Sequence, residues 1–148
     1  MAPRGGSAGG VTRRPGPLKL PPVLKLKAQV LCGGAVAFGP GKAALLEAIA
    51  REGSISAAGR ALGISYRRTW LLVDEMNRCW REPLVATVAG GGGGARVTEA
   101  GARVLADYRA LEAAIDAAAA GTEAFARLAG AVLAEPRQGA ADAATPAA

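Results

Sequence analysis

The residues best suited to chemistry in this chain are cations and hydroxyls bunched in one short run, Ser65-Tyr66-Arg67-Arg68-Thr69-Trp70-Leu71. Two neighbouring guanidinium groups can donate paired hydrogen bonds to a guanine edge or clamp a phosphate. Ser65 and Tyr66, at the positive end of a helix dipole, suit a phosphate oxygen. Other chemistries are excluded by what the chain lacks. It contains no histidine, which removes Ser-His-Asp and Cys-His nucleophiles, histidine zinc ligands and histidine pH switches. Cys32 and Cys79 stand 47 positions apart with no CxxC, so neither a disulfide framework nor a metal site is indicated, and each reads as a reduced, buried thiol. The carboxylates are scattered or lie on helix surfaces without a nucleophile or metal partner, so no enzyme, no cofactor and no metal is expected. Gly41-Lys42 is followed by Ala43 and has Val36 where a P-loop needs its first glycine. The five glycines Gly90–Gly94 precede a strand rather than open a helix, so the dinucleotide fingerprint fails too.

The elements that must hold this run follow from composition and pattern. The chain has 148 residues, of which 36 are alanine, so its 51% hydrophobic content includes few large side chains and supports one domain plus tails. The net charge of +6 is uneven. Residues 1–42 carry +7, residues 43–98 carry +2 and residues 99–148 carry −3. A cationic front suits a polyanionic partner. Residues 1–22, rich in Gly and Pro, read as a disordered basic arm, and residues 135–148 as a disordered Ala-rich tail. Arg13-Arg14 resembles a twin-arginine export signal, but prolines follow where an apolar stretch is needed, and no window suits a membrane span. The chain reads as cytoplasmic, with no membrane partner.

From Val23 to Val30, Leu24, Leu26 and Ala28 alternate with Lys25, Lys27 and Gln29, which predicts a half-buried strand returning over Ala35–Phe38 through Gly33-Gly34. Lys42–Arg51 is a helix stopped by Gly53. Ser54, with Ser56 in competition, caps a short helix Ile55–Leu62, and Ser65 caps a longer one, Tyr66–Trp80, ended by Glu82-Pro83. Leu84–Val88 and Arg96–Thr98 read as strands around the glycine run. Thr98 then caps a long helix on which Val104, Tyr108, Leu111, Ile115 and Ala118 step by 4, 3, 4 and 3, a seam for a partner helix. Glu123–Ala134 continues it after Gly121-Thr122.

This order predicts a mainly α fold with small β hairpins, a winged helix-turn-helix over residues 23–98 followed by a dimerisation helix or helix pair over 99–134. In that motif the second helix of the pair enters the major groove. Ala58-Gly59 supplies the small crossing residues and Gly63 the turn, with Ile55, Leu62, Ile64 and Leu72 locking the pair. Rotation by 100° per residue puts Thr69, Leu72, Val73 and Met76 inward, Arg67, Leu71, Asp74 and Arg78 outward, and Arg68 and Trp70 on the flanks. Two readings stay open for several of these residues. Arg67 and Arg68 are either a reading face or a solvated one, and Trp70 is either reading or core. The glycine run, with Gly91, Gly92 and Gly93 at its centre and Arg96 at its base, is either a wing tip close to a DNA backbone or a slack hairpin loop.

Three stretches, Gly41–Ile49, GSISAAGRALGISYRRTWLLVDEMN (Gly53–Asn77) and PLVATVAGGGGGARVTEAG (Pro83–Gly101), resemble the N-terminal DNA-binding domain of the ModE-type molybdate-responsive regulators, whose winged helix is similar to the LysR one. The likeness covers about residues 23–120, and ISYRRTW, EMN and the Gly-rich wing are its specific parts. It implies a bacterial homodimer joined through the long helix and bound to operator DNA near genes of molybdate uptake or molybdenum metabolism. By position it implies Ser65, Tyr66, Arg67, Arg68 and Trp70 on the recognition helix and the glycines in the wing. This wing lacks the basic residue that family wings usually carry among their glycines. Too few residues follow position 120 for a molybdate-binding domain, so a regulator without its own effector domain is expected; either a separate molybdate-binding protein is a further partner, or the regulation is constitutive or responds to something else.

The leading expectation is therefore a sequence-specific regulator binding double-stranded DNA. Its DNA contacts are expected at Ser54, Ser56, Ser65, Tyr66, Arg67, Arg68, Trp70, Leu71, Gly91, Gly92, Gly93 and Arg96, and its dimer contacts at Val104, Tyr108, Leu111 and Ile115. Two alternatives compete with it: a non-specific architectural DNA binder dominated by the basic arm, and a winged-helix protein-interaction module.

Overall fold

Phe38 is fully buried and holds two aromatic edges against its ring, Tyr108 at 5.0 Å and Trp80 at 6.3 Å between centroids. Around it the computed structural model, which describes residues 23–88 and 94–139, arranges the chain as β1 (Val30–Cys32), β2 (Ala35–Phe38), α1 (Pro40–Glu52), α2 (Ile55–Ala61), α3 (Tyr66–Cys79), β3 (Val85–Thr87), β4 (Ala95–Val97), α4 (Glu99–Ala120) and α5 (Glu123–Ala131). The expected basic arm, most of the wing glycines and the end of the tail lie outside the described residues.

Each strand pair is an antiparallel two-stranded sheet, β1 with β2 and β3 with β4. The fold is thus mostly helical with two small hairpins, a winged helix followed by a long helix. Its core is formed by Leu45, Leu46 and Ile49 of α1, Ile55 of α2, Val73 and Met76 of α3, and Leu84 and Val85 at the wing root. Serine and threonine side chains cap four of the five helices, Thr122 on α5 and three others where the sequence places them. Ser54 Oγ accepts from Ala57 N–H, Ser65 Oγ from Arg68 N–H, and Thr98 Oγ1 from Gly101 N–H. Helix α1 starts two residues earlier than expected because Pro40 occupies its first turn, where a missing N–H costs nothing.

Several expectations are corrected. Residues 23–29 belong to no regular element, and only Val30–Cys32 of the expected strand forms one. Leu24 and Ala28 are half-buried, but Leu26 is exposed with Lys25, Lys27 and Gln29, so the expected alternation is broken and the segment packs beside α4 without a ladder. The Tyr108 hydroxyl donates to Ala28 O at 2.8 Å and holds this segment from across the chain. Trp80 falls outside α3 in extended backbone and donates through Nε1 to Ala37 O at 3.3 Å. Leu62 caps the end of α2 and is exposed, so Ile55 and the half-buried Ile64 and Leu72 lock the helix pair without it. Cys32 is exposed and Cys79 half-buried, so neither is the fully buried thiol expected.

Two polar ties fix the helices to one another. Lys42, almost fully buried, donates to Val36 O and to Glu75 Oε1 at 2.7 Å, joining α1 to β2 and α3. Arg109 of α4 reaches Glu47 of α1 at 2.9 Å and Glu112 at 2.7 Å, and these hydrogen bonds hold its pKa above the ordinary arginine value. Past Arg109 no residue of α4 is fully buried, and α5 buries none, so the helix pair projects from the core.

Burial, reinforced by Glu112, raises the Tyr108 phenol above its usual pKa while Arg109 opposes this. The folded state therefore keeps a proton that the unfolded state releases near pH 10, and stability is complete below that pH and falls as pH rises through the folded pKa. Denaturant unfolding between about pH 8 and 11.5 is expected to show the wild type losing stability more steeply above pH 10 than Tyr108→Phe. Below pH 9 the variant is expected to be weaker by about 1 kcal/mol, through loss of the Ala28 bond.

Candidate nucleic-acid interface

The helix-turn-helix unit is α2, a tight turn and α3. A Cβ on Gly59 would overlap Thr69 Oγ1 and come within 3.0 Å of Thr69 Cβ and Cγ2, so only glycine lets the two helices cross at this distance. Thr69 is fully buried and returns its hydroxyl to Ser65 O at 2.8 Å. The turn closes with Ile64 N–H donating to Gly59 O at 2.9 Å, and Gly63 takes the left-handed backbone (φ +69°) that a side chain disfavours. These contacts orient α3 before any ligand is considered.

Thr69, Val73 and Met76 face inward with Leu72 half-buried, while Arg67, Arg68, Leu71, Asp74 and Arg78 are exposed. Trp70 is 38% exposed and meets Tyr66, itself 68% exposed, edge to face at 6.1 Å, which places Trp70 outside the core. Leu71 is 51% exposed beside them. The charges divide along the helix. Arg78 is neutralised by Asp74 at 2.9 Å one turn before it. Arg67 and Arg68 have no ion-pair partner among the described residues. The first turn of α3 thus presents two uncompensated cations, an aromatic pair and an exposed leucine. This surface suits phosphates, base edges and thymine methyls.

The serines are placed differently from the arginines. Ser54 and Ser65 already accept backbone N–H groups as caps, and Ser56 is half-buried on α2. Arg96 is exposed on β4. Gly91, Gly92 and Gly93 lie outside the described residues. Gly94, at the edge of that run, accepts from Val88 N–H at 2.8 Å, and Ala95 N–H donates to Gly53 O at 2.9 Å, which ties the wing strand to the end of α1. Arg60, exposed in the last turn of α2 and without an ion-pair partner among the described residues, is a further cation on this unit that sequence reading passed over.

The wing root is locked by residues whose role no local pattern reveals. Asn77 Oδ1 accepts from Leu84 N–H at 2.9 Å and Val85 N–H at 3.0 Å, and its Nδ2 donates to Val85 O at 3.0 Å. Thr98 Oγ1 donates to Pro83 O at 2.6 Å, and Thr98 N–H donates to Leu84 O at 2.9 Å. A Cβ on Gly101 would overlap Leu84 O and lie 2.8 Å from Val97 Cγ1, so α4 starts directly against β3. The wing root, α3 and α4 form one connected unit. Of the expected dimer residues, Leu111 is 45% exposed, Val104 and Ile115 are half-buried, and Tyr108 at 3% is turned into the protomer's own core.

Comparison with known proteins agrees with this geometry. Residues 42–102 match the family model described as bacterial regulatory helix-turn-helix protein, lysR family. The chain is 53% identical over 70 residues to the molybdenum transport protein ModE of Azotobacter vinelandii, a match covering 46% of this chain and 26% of that protein. It is 45% identical over 84 residues to the molybdenum-pterin-binding protein MopA of Rhodobacter capsulatus, covering 55% of this chain and 32% of that one. Against the DNA-binding transcriptional dual regulator ModE of Escherichia coli K12 it is 40% identical over 74 residues, covering 49% and 28%. The matches span about a quarter to a third of these relatives. Residues 42–102 therefore carry a LysR-type helix-turn-helix similar to the DNA-binding domain of ModE-type regulators. Among the described residues no helix is long and apolar enough to cross a membrane, and no cluster of three or more candidate ligands could hold a metal ion.

Gly59→Ala is expected to destabilise the fold by about 1–3 kcal/mol despite alanine's better helix propensity, because Thr69 has no room to retreat. Asn77→Ala leaves the Leu84 and Val85 N–H groups without their partner and is expected to cost about 2–4 kcal/mol. Urea unfolding monitored by far-ultraviolet circular dichroism measures both; a change under 0.5 kcal/mol in either would contradict the role given to that residue.

Proposed function

We propose that this chain is a sequence-specific, dimeric DNA-binding transcriptional regulator of the ModE-like type, linked to molybdate transport or molybdenum metabolism and acting by binding rather than catalysis. The observation that carries this reading is the uncompensated Arg67–Arg68 pair on the capped first turn of α3, with Tyr66, Trp70 and Leu71 beside it. Phosphate contacts supply most of the affinity and base contacts the specificity. Ser54, Ser56 and Ser65 contribute backbone-directed contacts, and Gly91, Gly92, Gly93 and Arg96 approach the adjacent backbone as a wing.

The dimer forms through the projecting helices α4 and α5. Tyr108 takes no direct part because its ring and hydroxyl are already engaged within the protomer. The seam instead uses Leu111 and Ile115, with Val104 at its edge and the exposed Leu128 of α5 and Val132 just after it extending it. The regulator works in the cytoplasm, and a molybdate-binding protein is its proposed source of effector response.

Selection of bound duplexes from a random pool, run with and without molybdate, tests this directly. The expected outcome is one enriched two-fold-related motif; if scrambled and selected duplexes bind equally at matched salt, the chain is an architectural binder instead. Arg67→Ala is expected to weaken binding to the selected site by about 1–3 kcal/mol and to relax preference at one base pair. Fluorescence anisotropy on matched and mismatched duplexes reads both effects, and unchanged affinity would remove Arg67 from the interface.

A further inference from the structure

Leu71 stands in the middle of the outward face of α3. Rotation by about 100° per residue places it about 40° from Arg67, one turn before it, and about 60° from Arg68. The Tyr66–Trp70 pair lies on the opposite flank of Arg67. The Leu71 side chain is 51% exposed and outside the core cluster, whereas its neighbour Leu72 packs against that cluster. Arg67 and Arg68 have no ion-pair partner among the described residues. The carboxylates nearby on α3 are already engaged, Asp74 with Arg78 at 2.9 Å and Glu75 with Lys42 at 2.7 Å. The middle of the face is therefore a hydrocarbon set between two uncompensated guanidinium groups.

We propose that Leu71 is a specificity-determining residue that reads the C5-methyl group of thymine in the major groove. This inference rests on the regulator reading above and names what one residue of that interface recognises. A lone exposed leucine is ordinary on a protein surface; its two cationic neighbours are what select the partner. They suit a polyanion, so the surface that covers Leu71 is a base edge between phosphates. Thymine offers a methyl group there, and cytosine turns an amino donor to the groove instead. Leucine gains by covering the methyl and leaves the cytosine amino group without an acceptor. One side chain thereby favours thymine and disfavours cytosine.

The placement also fixes a register. Leu71 lies about 6 Å beyond Arg67 along the helix axis, roughly two base-pair steps of about 3.4 Å each. The methyl-dependent base pair thus falls within about two steps of the pair that depends on Arg67.

The test takes the duplex enriched from the random pool and replaces each thymine in turn by deoxyuridine, which removes the methyl and keeps the pairing edge. Fluorescence anisotropy at fixed salt reads the affinity of the full chain, of Leu71→Ala and of Arg67→Ala, with far-ultraviolet circular dichroism to check that each variant is folded. At one thymine of a half-site the wild type is expected to lose on the order of fourfold in affinity. Leu71→Ala is expected to bind the unmodified duplex more weakly and to lose nothing further at that thymine, while Arg67→Ala keeps the full loss there. The proposal is overturned if the wild type is indifferent to every replacement, if the loss persists undiminished in Leu71→Ala, or if the enriched duplex has no thymine within about two steps of the Arg67-dependent pair. If no duplex is enriched at all, the regulator reading falls and takes this inference with it; indifference to the methyl on an enriched duplex removes the inference alone.

Discussion

The backbone-to-side-chain contact between Gly59 and Thr69 is the constraint on which the exposed cationic face of α3 depends. With no Cβ at that crossing, α2 and α3 approach until Thr69 is fully buried, and the rotation of α3 follows. That rotation turns Val73 and Met76 into the core and leaves Arg67 and Arg68 in water without carboxylates. Had the crossing been wider, the same residues would still form a helix, but its cations would point elsewhere. The charge pattern thus depends on one steric allowance.

Around this crossing the fold uses polar side chains as ties where hydrophobic contact alone would permit sliding. Lys42 bridges β2 and α3, Arg109 bridges α4 and α1, and Asn77 holds the wing root with three hydrogen bonds. Lys42 is nearly buried, so its ammonium is tolerable only because Glu75 and a carbonyl face it. The surface pairs, such as Arg78–Asp74 and Arg127–Glu123, add little to stability. Their consequence is electrostatic: they neutralise the far end of α3 and the surface of α5, and leave the first turn of α3 positive.

The places where expectation and structure part share one cause. A period-two alternation over 23–30 is compatible with a strand, yet the short β2 pairs only with Val30–Cys32, and α4 accepts the rest of the segment through Tyr108. A heptad spacing admits Tyr108 to an intermolecular seam, yet its ring is already taken by Phe38. Leu62 is apolar and near the turn, but α2 ends one residue earlier and leaves it in solvent. Asn77 and Gly101 carry no signal in a local pattern, since each is defined by a partner beyond its own helix. By contrast Ser54, Ser65 and Thr98 were legible as caps because their hydrogen bonds close within three residues.

Read alone, the amino-acid order determines the order of elements, the caps, the inward and outward faces of α3, the cationic character of its first turn and the absence of histidine chemistry. All of these follow from bonds and periodicities a few residues long. Tertiary structure alone decided that Trp70 is exposed, that Tyr108 belongs to the protomer and that Asn77 joins the wing root to α3. Such outcomes depend on which surfaces compete for the same neighbour, and that competition is resolved only once the whole core has closed around Phe38.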